Sequence, residues 1–214
     1  MPVLKGAFIK LDAGLLGFAP DVIIFQFNPE TVSRNPSLAF PTPPAEGSGP
    51  RNVNEQPAEP TESLGFALRL DATDALVSGD PVAGATGILP ALSALELLLY
   101  PKSALLSDLF GGTSQPYQNP PGRLPTVLFF WGASRVLPVN VTSLSIQETE
   151  YDQLLNPVRA EVNVNLQVLT PSQLPEDARL ERGAYRYTQG VKEVMAAANL
   201  LSPPDVITKT LSTF

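Results

Sequence analysis

The clearest pattern in this chain is an alternation of apolar and polar residues between positions 159 and 168. One face of this stretch carries Ala160, Val162, Val164, Leu166 and Val168, and the other carries Arg159, Glu161, Asn163, Asn165 and Gln167. A period of two predicts a β-strand with one dry face and one wet face. The wet face is mostly amide rather than charged. Such a surface favours contact with another molecule, or a channel wall, over a catalytic pocket.

The same reading predicts five further strands along the chain. They cover residues 4–11, 22–27, 63–71, 127–131 and 136–148, with the alternating strand itself over 159–169. Residues 127–131 are continuously apolar, which indicates a strand buried on both faces. The apolar phase slips at Thr142 and Ser143, which indicates a β-bulge. The last three strands follow one another and predict an antiparallel meander, and with the first three they would close into a barrel.

Two helices are predicted, one inside this β region and one after it. The first covers residues 88–100, and we expect it to pack in the core against the sheet. Its apolar face consists of Leu89, Leu92, Leu95, Leu98 and Leu99. The second begins near Pro175, Glu176 and Asp177. Its apolar stripe, which needs either the chain's own sheet or another chain as a partner, consists of Leu180, Ala184, Tyr187, Val191, Val194, Ala198 and Leu201. Residues 72–86, which are small and polar, are predicted to be a simple connection.

A proline-rich segment over residues 36–62 has almost no apolar periodicity. Its prolines are Pro36, Pro41, Pro43, Pro44, Pro50, Pro57 and Pro60. Structureless segments of this length are uncommon inside a compact domain and are usually functional or disordered. Two interpretations stay open, namely a surface loop without a partner and an arm that orders against a neighbouring subunit.

Composition argues against several classes of function. The 214 residues include 43% hydrophobic but only 16% charged residues, whereas about a quarter is usual for charged residues. This lean charge is expected of a surface covered by other subunits, and equally of a chain with long neutral loops. The net charge of −7 with scattered cations argues against nucleic-acid binding. No signal peptide and no membrane-spanning stretch is evident, so we expect synthesis and folding in the cytosol.

The chemistry of a typical active site is hard to assemble from these residues. The sequence has neither cysteine nor histidine, which removes thiolate nucleophiles, the commonest general base and the commonest metal ligands. We therefore expect no metal, no cofactor and no enzymatic activity. Paired carboxylates remain, and Glu148 and Glu150 are expected to share one face of a strand, as a glycoside hydrolase would require.

Several segments, in matching order over residues 4–170, resemble one known family. They are Lys5-Gly-Ala-Phe-Ile-Lys-Leu11, Val22-Ile-Ile-Phe-Gln-Phe-Asn-Pro-Glu-Thr31, Leu68-Arg-Leu-Asp-Ala-Thr-Asp74, Gly87-Ile-Leu-Pro-Ala-Leu-Ser-Ala-Leu-Glu-Leu-Leu-Leu-Tyr-Pro101, Val127-Leu-Phe-Phe-Trp-Gly132 and Leu155-Asn-Pro-Val-Arg-Ala-Glu-Val162. This ordered set is similar to the tube proteins of contractile injection systems, which are phage-tail-like particles. The group in question joins the spike or hub complex to the inner tube.

The resemblance implies a mainly β, α+β fold, in which an antiparallel tube-type β-barrel or sandwich over residues 1–170 packs one core helix and a helical tail occupies residues 171–214. It also implies a homo-hexameric ring around a lumen, with neighbouring tube rings and spike or hub proteins as partners. Longer relatives carry a C-terminal LysM-type module in place of this tail, so adaptor ring and repeated tube subunit both remain open. The expected lumen-facing residues are Asn163, Asn165 and Gln167, and the expected inter-subunit residues are Pro41, Pro43, Pro44, Pro50, Pro57, Tyr187 and Val191.

Two other functional classes remain as alternatives. A carbohydrate-binding β-sandwich module would need exposed aromatic side chains in its loops and would retain glycans. A carboxylate hydrolase would need a cleft that contains an acid with a raised pKa.

Overall fold

A computed structural model describes residues 3–11, 21–38, 59–100 and 126–201. The strands are β1 (Ala7–Lys10), β2 (Asp21–Ile24), β3 (Ser33–Ser37), β4 (Thr61–Asp71), β5 (Val127–Phe130), β6 (Val136–Tyr151) and β7 (Pro157–Val168). The helices are α1 (Thr73–Val77), α2 (Pro81–Thr86), α3 (Leu89–Glu96) and α4 (Arg179–Leu201).

All seven strands belong to one sheet, in the order β2-β1-β5-β6-β7-β4-β3. Every neighbouring pair is antiparallel. The prediction of a mainly β, α+β fold with an antiparallel sheet, a packed helix and a C-terminal helix is confirmed. The predicted meander is the run β5-β6-β7, which forms the centre of the sheet.

The sheet is strongly curled, as the packing of its aromatic residues demonstrates. The rings of Phe8 on β1 and Phe66 on β4 have centroids 6.2 Å apart, although β5, β6 and β7 lie between these two strands in the sheet. Four strand spacings in a flat sheet would separate them by roughly 19 Å. The apolar faces of both sheet ends therefore close around one core, which also contains Leu92 and Leu95 of α3.

The two ends of the sheet meet through a side chain instead of a backbone ladder within the described residues. The amide group of Gln26, just after β2, donates from Nε2 to the Asp71 carbonyl at 2.6 Å. The Asp71 N–H donates to Gln26 Oε1 at 2.9 Å. One glutamine thus imitates a strand residue at the end of β4, and it fixes one point of the seam between β2 and β4.

The register confirms the predicted bulge and refines the strand next to it. β6 and β7 pair with a register shift between Val141 and Ser143, as the phase slip indicated. In β5 the side chains of Val127 and Phe129 are fully buried, whereas Leu128 and Phe130 are only partly buried. The prediction that this strand is dry on both faces is therefore wrong for its second face.

The proline-rich segment is shorter than predicted at both ends. Pro36 belongs to β3 and pairs with Glu62 of β4, and Ser37 pairs with Thr61. These residues therefore form a strand pair instead of a loop. The signal was missed because β3 is exposed along its whole length and has no apolar alternation. Proline is tolerated there because an edge strand leaves one row of N–H groups unpaired. Residues 39–58 lie outside the described part of the chain.

The connection predicted over residues 72–86 instead contains two short helices. The carboxylate of Asp80 accepts from the N–H groups of Val82 and Ala83 at 2.8 and 3.0 Å, so it caps α2. Gly87 then ends α2 with φ +57° and ψ −128°, a conformation open essentially to glycine alone. The next N–H, that of Ile88, donates to the Pro157 carbonyl at 2.9 Å. This latch positions α3 against the start of β7.

α3 confirms the predicted core plug but is shorter than expected. It ends at Glu96, and the following turn still buries Leu98. Leu89, expected on the apolar face, is one-third exposed because it belongs to the first turn. Among the residues that the structure describes, the search for a helix long and apolar enough to cross a membrane found none.

The Gly87 latch predicts a large stability difference between two glycine variants. A Cβ at Gly87 would lie 2.1 Å from the Pro157 oxygen, whereas a Cβ at Gly84 meets nothing within 4 Å. Gly87→Ala should lower the free energy of unfolding by about 3 kcal/mol, through strain and overlap. Gly84→Ala should be neutral or stabilising by up to about 1 kcal/mol, because alanine favours a helix. Urea denaturation of both variants measures this, and equal stability would contradict the latch.

Candidate functional site

The outer face of the sheet presents a polar band across β4, β7 and β6. Asn163 pairs with Ala67 on one side and Ser145 on the other, and Asn165 pairs with Gly65 and Ser143. Both asparagine side chains are exposed, as the alternation predicted. The band is therefore smooth and uncharged, because amides are flanked by residues with small side chains.

Contacts between these side chains hold the band in place. Asn165 Nδ2 donates to Ser143 Oγ at 3.0 Å, and a Cβ at Gly65 would lie 3.2 Å from Asn165 Oδ1. The glycine thus leaves room for the amide to lie across β4. Gln167 differs from the two asparagines because it is partly buried and donates from Nε2 to the Glu62 carbonyl at 3.2 Å. The side chain of Gln167 is therefore less exposed than predicted.

A charged cluster lies at one end of the polar band. Arg159 donates from Nε to Asp71 Oδ2 at 2.8 Å, from Nη1 to Glu150 Oε1 at 2.7 Å and from Nη2 to Thr73 Oγ1 at 3.1 Å. Burial acts to raise the pKa of Asp71, but hydrogen bonds from Thr73 and Arg159 outweigh it and hold that pKa below its usual value. The cluster joins β4, β6, β7 and α1, so its first role is structural.

Beside this cluster, a cleft of about 690 Å³ separates residues 27–31 from β4 and β7. Arg69 Nη1 lies 3.3 Å from Glu30 Oε1 across the cleft, and both side chains are largely exposed. Exposed ion pairs of this kind contribute little stability. Phe27, which is about half exposed, is the one aromatic residue in the lining that the structure describes.

The two acids considered for catalysis do not come together. Glu148 pairs with Ala160, whose side chain is buried, whereas Glu150 pairs with Arg159 on the outer face. Residues two apart normally share a face of a strand, but the register shift between Glu148 and Glu150 places them on opposite faces. The prediction that they share one face is therefore wrong. Glu148 accepts from the Tyr151 hydroxyl at 3.2 Å, and Glu150 is occupied by Arg159. This separation does not match paired carboxylate chemistry.

The C-terminal helix α4 docks on the start of β6 through polar contacts. The Thr188 hydroxyl is buried, donates to the Val136 carbonyl at 2.7 Å and accepts from the Val136 N–H at 3.1 Å. The Tyr187 hydroxyl donates to the Ala133 carbonyl at 2.7 Å. Lys192 Nζ lies 3.3 Å from Glu62 Oε2, and Glu62, which is buried, also binds Arg34. The helix begins at Arg179, later than Pro175 to Asp177, where a start was predicted.

The apolar stripe of α4 is left largely uncovered by this docking. Leu180, Tyr187 and Val194 are 69%, 51% and 64% exposed, and Val191 is partly buried. Tyr185 packs against the core and Thr188 binds Val136 of β6, and both lie on a neighbouring side of the helix. Among the described residues, Leu180, Tyr187 and Val194 of the stripe are therefore not covered by the chain's own sheet. Residues 193–199 are all exposed, so this stretch extends beyond the sheet.

The expected inter-subunit residues fall into two groups. Pro41, Pro43, Pro44, Pro50 and Pro57 lie outside the described residues. Tyr187 and Val191, the other two expected inter-subunit residues, lie one helical turn apart on α4, where Tyr187 is about half exposed and Val191 is partly buried.

Three residues with central roles escaped the sequence analysis. Gln26, Thr188 and Glu62 each bind polar groups of distant segments, and no local pattern distinguishes Gln26 or Thr188. The buried face of β4 carries Leu64, Phe66 and Leu68, and Glu62 occupies the same face. An acidic residue at a position where the alternation predicts an apolar one was the signal that could have identified Glu62. Glu62 also acts on Arg135. Burial and the charge of Arg34 lower the pKa of Arg135, and the charge of Glu62 opposes them.

Among the described residues, no group of three or more acidic side chains is placed to hold a metal ion. A scan against protein-family models and a search of curated proteins each found no match to this chain.

The two faces of β7 predict opposite effects for two neighbouring substitutions. Asn163→Asp should change the free energy of unfolding by no more than about 0.5 kcal/mol, because the side chain is exposed. Val164 is 1% exposed, so Val164→Asp should cost about 4 kcal/mol or more by placing a carboxylate in the core. Thermal melts of the two variants measure this, and equal losses would mean that the wet face has been misassigned.

The Asp71 cluster predicts a pH-dependent loss of stability. The pKa of Asp71 is lowered from 3.8 in the folded chain, so its ionised form stabilises folding above that pH and the contribution fades as pH falls through the folded-state pKa. Asp71→Asn should therefore lower the melting temperature at pH 6, and the difference from wild type should shrink below pH 3.8. A difference that is constant with pH would show that the charge of Asp71 does not contribute.

Proposed function

We propose that this chain is a structural, non-enzymatic subunit of a contractile injection system, forming a hexameric ring of the inner tube or of the adaptor between spike and tube. The observation that carries the proposal is the exposed apolar stripe on α4. The helix is already fixed to its own sheet through Thr188 and Lys192, yet Leu180 and Val194 remain in solvent. An apolar surface on a rigid helix is typical of a subunit interface.

The polar band supports a position beside a conduit. Asn163 and Asn165 are exposed, uncharged and flanked by small residues. A wall of this kind lets a cargo pass without strong attachment, because it offers hydrogen bonds that water readily replaces and no fixed charge. We assign this band to the lumen of the ring, with Gln167 at its margin.

The inter-subunit contacts would then come from two parts of the chain. Tyr187 and Val191 belong to the helix stripe, and the prolines at 41, 43, 44, 50 and 57 belong to the segment between β3 and β4. The lean charge of the whole sequence agrees with a surface that other subunits cover. Copies of this chain, a neighbouring tube ring and a spike or hub protein are the proposed partners, with assembly in the cytosol before the particle docks or is released.

The helix stripe predicts that one exposed substitution blocks assembly and a matched one does not. Val194 and Ala196 are both exposed, but successive helical positions turn by 100°, so they lie on opposite sides of α4. Val194→Asp should leave the melting temperature of the free chain unchanged, because its side chain has little contact with the sheet. It should remove the chain from particles assembled with its native partner proteins. Ala196→Asp should be incorporated normally.

Gradient sedimentation of the particles, followed by detection of each variant, makes the measurement. Normal incorporation of Val194→Asp would contradict an interface at the stripe. Absence of the unmodified chain from every particle fraction would contradict the proposed function itself.

A further inference from the structure

One edge of β4 is left open between two points of attachment. β3 pairs with β4 from Thr61 to Gly65, and the Gln26 amide holds Asp71. Backbone groups of an antiparallel strand point alternately to its two neighbours. The backbone N–H and C=O groups of Asp71 point away from β7, because they bind Gln26. The same groups of Ala67 and Arg69, which lie four and two residues earlier, therefore also point away from β7. Their N–H and C=O groups meet no partner within the described residues.

Other hydrogen bonds confirm this direction. The Glu62 carbonyl accepts from the Gln167 side chain, so even-numbered β4 residues point toward β7. On β7, the carbonyls of Asn165 and Arg159 accept from Thr142 and Thr149 of β6, so odd-numbered residues of β7 point toward β6. The backbone N–H and C=O groups of odd-numbered β4 residues therefore point to the outer edge, in agreement with Asp71.

The open edge lies between two cavities. Outside the sheet is the cleft of about 690 Å³ that contains Arg69 and Glu30. On the core side is a smaller, mostly apolar pocket of about 70 Å³. Its lining consists of Ile23, Ile24, Phe25, Gln26, Leu68, Arg69, Leu70, Ala91 and Leu95. We call the edge of Ala67 and Arg69 with its two cavities the β4 slot.

The β4 slot defines the chemistry of its ligand. A strand that pairs with Ala67 and Arg69 would form up to four backbone hydrogen bonds, as in β-strand addition. Its side chains would alternate between the two cavities. The central residue must therefore be a small aliphatic one, and both of its neighbours must be polar.

We propose that the β4 slot binds residues 51–56 of a second copy of this chain, in extended conformation. This inference rests on the proposed function, since it names how neighbouring subunits engage. Between β3 and β4, the longest stretch that contains neither proline nor glycine is residues 51–56, Arg-Asn-Val-Asn-Glu-Gln. Asn52, Val53 and Asn54 have the required polar, aliphatic and polar order.

The chain already contains this pairing once. Asn163-Val164-Asn165 of β7 lies along the other edge of β4, opposite Ala67, Phe66 and Gly65. There the two asparagines face the polar band and the valine enters the core. Asn52-Val53-Asn54 would repeat this arrangement on the open edge, with Val53 in the small pocket.

The length of the connecting segment requires that the occupant come from another copy. The Glu59 carboxylate accepts from the Ser172 hydroxyl at 2.8 Å, which fixes Glu59 beyond the first residue of β4. From there to Leu68, at the centre of the slot, is roughly 30 Å along the strand. The six residues from Val53 to Glu59 span at most about 22 Å. Val53 therefore falls short of its own slot.

A peptide-binding experiment tests the slot on the full chain, independently of ring formation. A fluorescent peptide of residues 49–58 is titrated with the protein at a concentration where sedimentation shows a monomer. We expect saturable binding, at least tenfold weaker for the Val53→Asp peptide. Ala91→Phe, which fills the small pocket from α3, should weaken binding at least tenfold, whereas Ser93→Phe on the exposed side of α3 should leave it unchanged.

Residue-resolved hydrogen exchange identifies the site directly. The peptide should slow exchange of the Ala67 and Arg69 amides at least fivefold, while that of Leu68, already bonded to β7, should not change. Equal binding of both peptides, no binding, or unchanged exchange at Ala67 and Arg69 would overturn the inference. Particles with normal rings of the Val53→Asp chain would overturn it and leave the proposed function intact. Specific peptide binding by a chain that is absent from particles would support the slot and contradict the function.

Discussion

The packing of four phenylalanine rings determines the shape of this molecule. Phe8, Phe25, Phe66 and Phe129 lie with ring centroids 5.0–6.4 Å apart. Phe8 and Phe129 are paired neighbours on β1 and β5 and Phe25 follows β2, but Phe66 comes from β4, beyond β6 and β7. Burying one phenylalanine contributes about 1.5–3 kcal/mol. The sheet can bring Phe66 to the other three rings only by curling, and the curl places the apolar faces of β4 and β7 inside and their polar faces outside.

The curl also explains which backbone groups and which apolar surface lack a partner among the described residues. The two sheet ends meet at a seam that is fastened by the Gln26 amide and lined by α3. Beside it, the backbone groups of Ala67 and Arg69 have no partner among the residues that the structure describes. α4 fastens to the start of β6 through the hydroxyl of Thr188, which leaves its apolar stripe outward. In the described part of the chain, one apolar core joins the sheet and α3, whereas the edge of β4 and the apolar stripe of α4 lack partners. The proposed role as an assembling subunit would use these two surfaces.

The sequence predicted the elements whose pattern is local. The alternation in β4 and β7, the bulge after Val141 and the core face of α3 all follow from the spacing of apolar residues, and the structure has them. What failed depends on distant partners. β3 has no apolar residue to signal it, because its stability comes from pairing with β4. The face by which α4 docks was hidden, because Thr188 bonds a backbone 52 residues away in sequence, while the more obvious apolar stripe remains exposed.

The central claim is that the polar band of this chain faces the axis of a six-membered ring. An electron cryomicroscopy map of the assembled particle, with the chain located by its density, tests this directly. The account predicts six copies around a channel, with the side chains of Asn163 and Asn165 at the channel wall and α4 against a neighbouring copy. Asn163 and Asn165 on the outer surface of the ring, or α4 without contact to another subunit, would contradict it.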